Sequence, residues 1–315
     1  MGYTTSESYK NEIVIVARVG ANAGQLQLVN IPCGVTDNAL VVNAKSWNKY
    51  VFYYLQHFNL NKLVFGSGQP LITGGMLKKI KIWAGDNAER NKIVHLLSLI
   101  EERIDTQKKI IEDLKKLKDA ITHSHYRNEL SHSPMAYIGQ YITQVSKRNK
   151  DARIDRVLSV SNKYGFINQD EQFEDREVAS ADTSNYKVVQ KGDFAYNPAR
   201  INVGSVARLQ EFENGIVSPM YVCFTAKKGL LPAYFEFYLS TNIFKHEMNK
   251  RLEGSVRLCL TYESLCNIKI ALPEFNLQQD FVSKVSTILT KIKREEKLMF
   301  LYHNYKQYLL SQMFI

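Results

Sequence analysis

The chain has 315 residues, 45% of them apolar, which is room for about two domains at ~150 residues each and enough to build real cores. A disordered chain is excluded by that composition. Forty-one Lys and Arg against thirty-one Asp and Glu leave a formal charge of +10 and a pI near 9.2, which favours a polyanionic partner through long-range attraction and counterion release.

Residues 12–19, EIVIVARV, are rich in β-branched side chains and predict a buried strand. The loop GANAG follows, then strands at Gln25 to Val29 and Ala39 to Val42 on either side of a turn at Pro32 to Gly34. A helix is expected around Trp47 to Gln56, then the loop GSGQPLITGG and an alternating strand LKKIKIW over 77–83. A long helix opens beyond Asp86 and Asn87, either of which suits an N-cap. The polar stretch THSHYRNELSHSP ends on Pro134, so the helix is expected over 87–124 and a linker over 125–134.

Within that helix Ile93, Leu97, Ile100, Ile104, Ile111, Leu114 and Ile121 follow the alternating four-and-three spacing of a coiled-coil seam, broken by polar Gln107 and Lys118. Residues 89–121 align without a gap on residues 277–309, at an offset of 188. The seam becomes Phe281, Val285, Ile288, Ile292, Met299, Tyr302 and Leu309, and the breaks recur at Glu295 and Lys306. An ordinary surface helix also carries an apolar stripe. Two copies with matching polar breaks instead predict that the helices pair with each other.

The repeat extends upstream. FAYNPARINVGSVARL matches IVARVGANAGQL at an offset of 180 when Gly204 is set on Gly24, IVSPMYVCF matches GVTDNALVV at 182, and EFYLS matches FYYLQ near 184. From Gly66 and Ser67 against Gly254 and Ser255 the offset is 188. The fold class is therefore α/β (α+β): a tandem repeat of mixed domains, each followed by a long helix, the two helices pairing as an antiparallel coiled coil. The expected boundaries are a first domain over 1–86, its helix over 87–124, a linker over 125–134, a second domain over 135–274 and its helix over 275–315. Gly204 has 78 residues back to Tyr126, whereas Gly24 has 23 back to Met1. About 55 residues of the first copy are expected to be absent, leaving that domain incomplete or completed by another polypeptide.

Catalytic motifs are weak. His123, His125 and His132 sit in a polar stretch without a carboxylate or cysteine pattern suited to zinc, so no metal site is expected. The glycine loops lack both the Gly-Lys-Ser/Thr of a P-loop and the strand–GxGxxG–helix context of a dinucleotide site. Tyr196, Asn197 and Pro198 resemble part of the Asn-Pro-Pro-Tyr element of amino-methyltransferases, but the second proline and the following aromatic are missing. The cysteines Cys33, Cys223, Cys259 and Cys266 imply neither a metal knuckle nor a disulfide framework. No apolar run approaches the ~20 residues of a membrane span, and the opening MGYTTSESYKNE is polar. A soluble cytoplasmic protein with no catalytic residues of its own is the expectation.

What remains is a set of polar, basic loop positions: Asn162, Lys163 and Tyr164; Gln169; Asn197, Arg200, Asn202 and Ser205; Ser255 and Arg257. The first half offers Arg18, Asn22, Gln25, Ser67 and Gln69. Arg bonds guanine bidentately, Asn or Gln does the same to adenine, and Ser, Lys and backbone N–H groups hold phosphates. Singly, each reads as a solvated turn residue; as a group on a +10 chain they are candidate DNA contacts.

The segments GFINQDEQF, ADTSNYKVVQKGDFAYNPARINVGSVA and LPEFNLQQDFVSKVSTILTKIKREEKL, set in this repeat, resemble the specificity (S) subunits of type I restriction-modification enzymes over nearly the whole chain. The resemblance implies two target-recognition domains, each reading one half of a split sequence in double-stranded DNA, separated by two antiparallel helices. It implies that chemistry lies elsewhere: two modification (M) subunits methylating adenine with S-adenosylmethionine, and restriction (R) subunits that use ATP and Mg2+. A helix of about 33 residues rises ~50 Å, comparable with one and a half duplex turns at ~34 to 36 Å each. The short first copy departs from the family pattern and leaves three explanations open: a split subunit with a separately encoded N-terminal fragment, a silent cassette, or a shortened domain that still binds. The alternative function is a structural adaptor with impaired or half-site reading.

The pairing positions expected are Ile104, Gln107, Ile111, Leu114, Lys118 and Ile121 against Ile292, Glu295, Met299, Tyr302, Lys306 and Leu309. A register matching polar groups would set Lys118 on Glu295, Gln107 on Lys306, Ile111 on Tyr302 and Leu114 on Met299. A longer overlap would centre the crossing nearer residue 106.

Overall fold

The computed structural model describes residues 7–66, 68–169, 182–254 and 257–314, in two compact units. The first comprises Met1–Glu112 with Lys293–Ile315, and the second Asp113–Ile292.

In the first unit β1 (Ile13–Ala17) lies between β2 (Leu26–Val29) and β3 (Ala39–Val42), both antiparallel to it. Val14 and Val16 are fully buried beneath α1 (Asn48–Phe58), which contributes Tyr50, Val51, Tyr53 and Leu55 to the core. Asn48 is buried because its side chain spans two backbones: Oδ1 accepts from the Ala44 N–H at 2.7 Å and Nδ2 donates to the Glu12 carbonyl. A short helix, α2 (Gly74–Leu77), follows, capped by the Thr73 hydroxyl. The strand expected over 77–83 is not formed. Leu77 ends α2, and Lys81–Trp83 have no ladder partner among the described residues. Alternation reports which side chains face a core, but a strand also needs a neighbouring backbone.

The first long helix, α3 (Asn87–His132), is capped by Asp86, whose carboxylate accepts from the Glu89 N–H at 2.8 Å. It runs through 125–132, the segment expected as a linker. Tyr126 explains the difference: it is 2% exposed and ringed by aromatics, so one buried face carries the helix onward while the polar residues occupy the other.

The second unit begins in α3 and continues through β4 (Met135–Tyr137), α4 (Ile138–Tyr141), β5 (Ile142–Val145), β6 (Leu158–Ser161), β7 (Gly165–Asn168) and β8 (Lys187–Gln190). Then come β9 (Phe194–Tyr196), β10 (Val206–Arg208), β11 (Asn214–Val217), β12 (Val222–Ala226), α5 (Pro232–Leu239), α6 (Asn242–Asn249), α7 (Tyr262–Cys266), β13 (Lys269–Ala271) and α8 (Phe275–Met313). The main sheet has the order β10-β9-β12-β5, and the pairs β6-β7, β8-β11 and β4-β13 lie beside it. All these ladders are antiparallel, which makes the unit α+β. Its core is aromatic: Phe194 stacks on Phe224 at 5.0 Å, and Tyr126, Tyr234, Tyr238 and Phe281 close the helical side.

The repeat read from sequence recurs in a set of matching hydrogen bonds. Ile72 N–H donates to Arg18 O at 2.9 Å, and Leu260 N–H donates to Pro198 O at 3.1 Å. Phe65 bridges Leu71 as Glu253 bridges Cys259. The glycines that open these two turns, Gly66 and Gly254, have φ of +100° and +118°, and an added Cβ would collide with the Gln69 and Arg257 carbonyls. Thr73 caps Met76 N–H as Thr261 caps Ser264 N–H. The Tyr54 hydroxyl donates to Lys81 O at 2.8 Å, and that of Tyr238 to Lys269 O at 3.2 Å. Phe314 seats on Tyr50 and Tyr54 as Tyr126 seats on Tyr234 and Tyr238.

Every seam position of both helices is buried or half-buried. In the first unit the Gln107 amide donates to the Glu295 carboxylate, and the two are 5% and 8% exposed. Lys306 pairs with Glu101 at 2.6 Å, and Glu101 also accepts from the Tyr53 hydroxyl at 2.8 Å. Leu97 meets Leu309 and Leu310 in the same core. The register that placed Lys118 on Glu295 and Gln107 on Lys306 is therefore corrected, and Lys118 pairs with its neighbour Asp119 at 2.9 Å. That register considered only seam residues as acceptors. Glu101, off the seam, supplies the carboxylate for Lys306, which frees Gln107 for its repeat-equivalent Glu295.

Two outcomes are expected. Gln107→Leu, which removes a donor from a buried carboxylate, should lower the stability of the first unit by about 1 to 3 kcal/mol in urea denaturation; adding Glu295→Leu should restore much of it. In the second unit His125 stacks on Phe281 at 3.9 Å, and burial pushes its pKa below the usual histidine value of 6.5 against the opposing pull of Glu129. The unfolded chain then binds the proton first, so thermal stability should fall as pH drops below 6.5. His125→Phe should flatten that part of the profile.

Candidate nucleic-acid interface

The turn after β6 and the loop between β9 and β10 meet at one end of the second unit. Asn162 Nδ2 donates to Val203 O at 3.4 Å, and a Cβ added at Gly204 would lie 3.5 Å from that of Asn162. The Leu260 bond to Pro198 brings the turn bearing Arg257 against the same loop. Lys163, Tyr164, Arg200, Asn202 and Arg257 are exposed there, Tyr164 to 66%. The Lys163 ammonium lies 4.8 Å from the Tyr164 ring centre, and hydrogen bonding to Tyr164 raises the lysine pKa. Cationic, amide and aromatic groups thus share one surface above backbone fixed by the sheet, the combination that base and phosphate contact requires.

Three expected residues do not belong to that surface. Ser205 is 4% exposed and its hydroxyl donates to Val160 O at 3.1 Å, so it ties β10 to β6. Asn197 is half-buried; its Oδ1 accepts from Ala199 N–H and its Nδ2 faces the Met220 sulfur, which shapes the loop. Gln169 follows the far end of β7, about 13 Å from the turn at ~3.3 Å per residue, with its N–H on Val157 O. Ser255 and Ser67 lie outside the described residues.

The first unit repeats the two-loop arrangement. Asn22 occupies the position of Asn202, and Gln69 that of Arg257; all four are exposed. Gln25 hydrogen-bonds Asn22 at 3.1 Å. Arg18 is half-buried, donating to Asp37 O at 3.4 Å and holding Ile72 through its own carbonyl, so its role is to join the loops.

Sequence reasoning passed over two features. Lys147, Arg148, Lys150, Arg153 and Arg156 form an exposed basic run beside Gln169. Its backbone is tied to buried Asn149, whose amide oxygen accepts from Ile154 N–H, whose amide nitrogen donates to Ile154 O and whose own N–H donates to Tyr186 O. The charge run itself was a visible signal. Val203 and Met220, 55% and 62% exposed, add apolar contact beside Arg200 and Asn197, and nothing in their sequence distinguishes them from core residues.

Cys223 is buried and its thiol is pushed up to about 12 by desolvation, so it is no nucleophile at neutral pH. Among the described residues no group of three His, Cys, Asp or Glu is placed to hold a metal ion. None of their helices is long and apolar enough to cross a membrane.

Residues 1–116 match the family model described as the type I restriction modification DNA specificity domain. The S subunit of a type I restriction-modification system from M. genitalium shares the fold with a TM-score of 0.61 at 17% identity, over 100% of this chain and 86% of that one. A chain from a structure on complex assembly and conformational transition of the type I R-M system aligns with a TM-score of 0.55 at 13% identity, over 96% of this chain and 81% of that one. Comparison with curated protein sequences finds no match. Over residues 1–116 the chain is thus similar to the type I restriction modification DNA specificity domain, and as a whole it shares the fold of S subunits of such systems.

Proposed function

We propose that this chain is the DNA-reading subunit of a type I restriction-modification complex and carries out no chemistry itself. The observation that supports this reading is the repeated pair of rigid loops, which presents Asn22 with Gln69 in one unit and Asn202 with Arg257 in the other. Asparagine and glutamine match adenine edges and arginine matches guanine, so each unit offers groups able to read a half-site. The basic run from Lys147 to Arg156 supplies sequence-blind phosphate contact. Adenine methylation with S-adenosylmethionine, and cleavage driven by ATP with Mg2+, would belong to M and R subunits.

The adaptor reading has its own support. On α8, Leu298, Leu301, Tyr305 and Tyr308 are 36 to 58% exposed at three-and-four spacing, an outward apolar stripe besides the seam. Exposed Ile110 and Leu117 on α3 are the repeat equivalents of Leu298 and Tyr305. Two copies of one helical partner, such as two M subunits, would suit such a duplicated stripe.

Selection of random duplexes by the chain assembled with M subunits tests the main reading. A split consensus is expected; binding that is sequence-blind and insensitive to salt would leave only the adaptor role. Arg200→Ala or Asn202→Ala should relax one half-site, with about 1 to 3 kcal/mol of discrimination lost at the base pair concerned. Arg153→Ala should instead weaken all sequences alike and reduce the salt slope by about one. Ser205→Ala, as a control, should cost about 1 kcal/mol of stability and leave the consensus unchanged.

A further inference from the structure

The bare segment Lys81–Trp83 is the repeat equivalent of β13, and the second unit shows what an occupied copy looks like. There β4 pairs with β13, setting Ile270 on Ala136 between flanking bonds from Ile138 N–H to Ile268 O at 2.9 Å and from Leu272 N–H to Pro134 O at 3.0 Å. Ile270 and Ala271 are 1% and 3% exposed as a result. Their counterparts Ile82 and Trp83 are 36% and 74% exposed, and Ile82 makes no backbone hydrogen bond among the described residues.

The segment is nevertheless held as β13 is held. Ile80 N–H donates to Leu77 O at 3.1 Å, the same bond that Ile268 makes to Leu265. The hydroxyls of Tyr54 and Tyr50 fix the carbonyls of Lys81 and Trp83 at 2.8 and 2.9 Å. Among the described residues one side is anchored and the other is open, which is the condition for strand addition.

We propose that this edge receives an antiparallel strand from a separate polypeptide, apolar along its inner face and carrying carboxylates. A second copy of the chain is the weaker candidate, since its own Met135–Tyr137 is already paired. The acidic character follows from Lys78, Lys79 and Lys81, all exposed along the edge, where the second unit has Cys266, Asn267 and Lys269. The site stands on the internal repeat alone and is independent of DNA reading.

The test uses the 315-residue chain with Trp47→Phe, so that Trp83 is the single indole. The probes are a synthetic peptide of residues 134–146 and a version with Gln140 and Gln144 replaced by Glu. Saturable binding is expected, with a blue shift of Trp83 emission, at least tenfold slower amide exchange at Ile82, and tighter binding of the acidic version. Ile82→Pro removes the central N–H donor at an exposed position and should weaken binding at least tenfold. Lys79→Glu, which leaves the backbone intact, should abolish the preference for the acidic peptide. No saturable binding of either peptide would overturn the proposal. Concentration-dependent dimerisation that protects Ile82 without peptide would also overturn it, in favour of a second copy.

Discussion

A glutamine and a glutamate at equivalent positions of two sequence copies share a buried hydrogen bond, and the register of both long helices follows from it. An apolar seam alone slides at little cost, because one heptad resembles the next. Gln107 and Glu295 end that freedom, since any shift of the seam would leave a buried amide and a buried acid facing hydrocarbon. Glu101 and Lys306 add a second polar lock in the same unit. Phe314 and Tyr126 are then received by tyrosine pairs on short helices, Tyr50 and Tyr54 of α1 and Tyr234 and Tyr238 of α5.

The candidate recognition loops borrow rigidity from that framework. In each unit an equivalent backbone bond, Ile72 to Arg18 or Leu260 to Pro198, joins the two loops, and in the first unit Gly20 N–H adds a second to Pro70 O. The residues at the joints are ordinary core or turn residues; those at the tips are polar and exposed. Such a division lets tip side chains vary without disturbing the frame, which is what a protein that reads different sequences on one fold needs.

Much of this was legible in the sequence because a repeat supplies an internal comparison. The offsets of 180 and 188 aligned turn glycines and helix caps that proved to make the same turns and caps in both units, and two seam breaks, Gln107 and Glu295, that meet each other. Strands β1 and β3 and the Asp86 cap were likewise readable from branching and capping residues. The misses share a cause. Lys81–Trp83 alternates like a strand but has no strand partner among the described residues, Tyr126 hides one buried face in a polar stretch, and Glu101 reaches the seam from outside it. Each depends on a neighbour distant in sequence. Ser205 was misjudged for the same reason: a serine in a loop looks solvated until Val160 is known to lie against it.

The division of the long helices between units bears on the order in which the chain matures. The second unit is a continuous stretch, Asp113–Ile292, so all its contacts are available once residue 292 has been made. The first unit needs Lys293–Ile315 to cover Val14, Tyr50 and Leu97. During synthesis the first unit is therefore the last to close: α1 already lies over the sheet, but the side of α1 bearing Tyr50 and Tyr54 waits uncovered until the final turns of α8 bring Phe314.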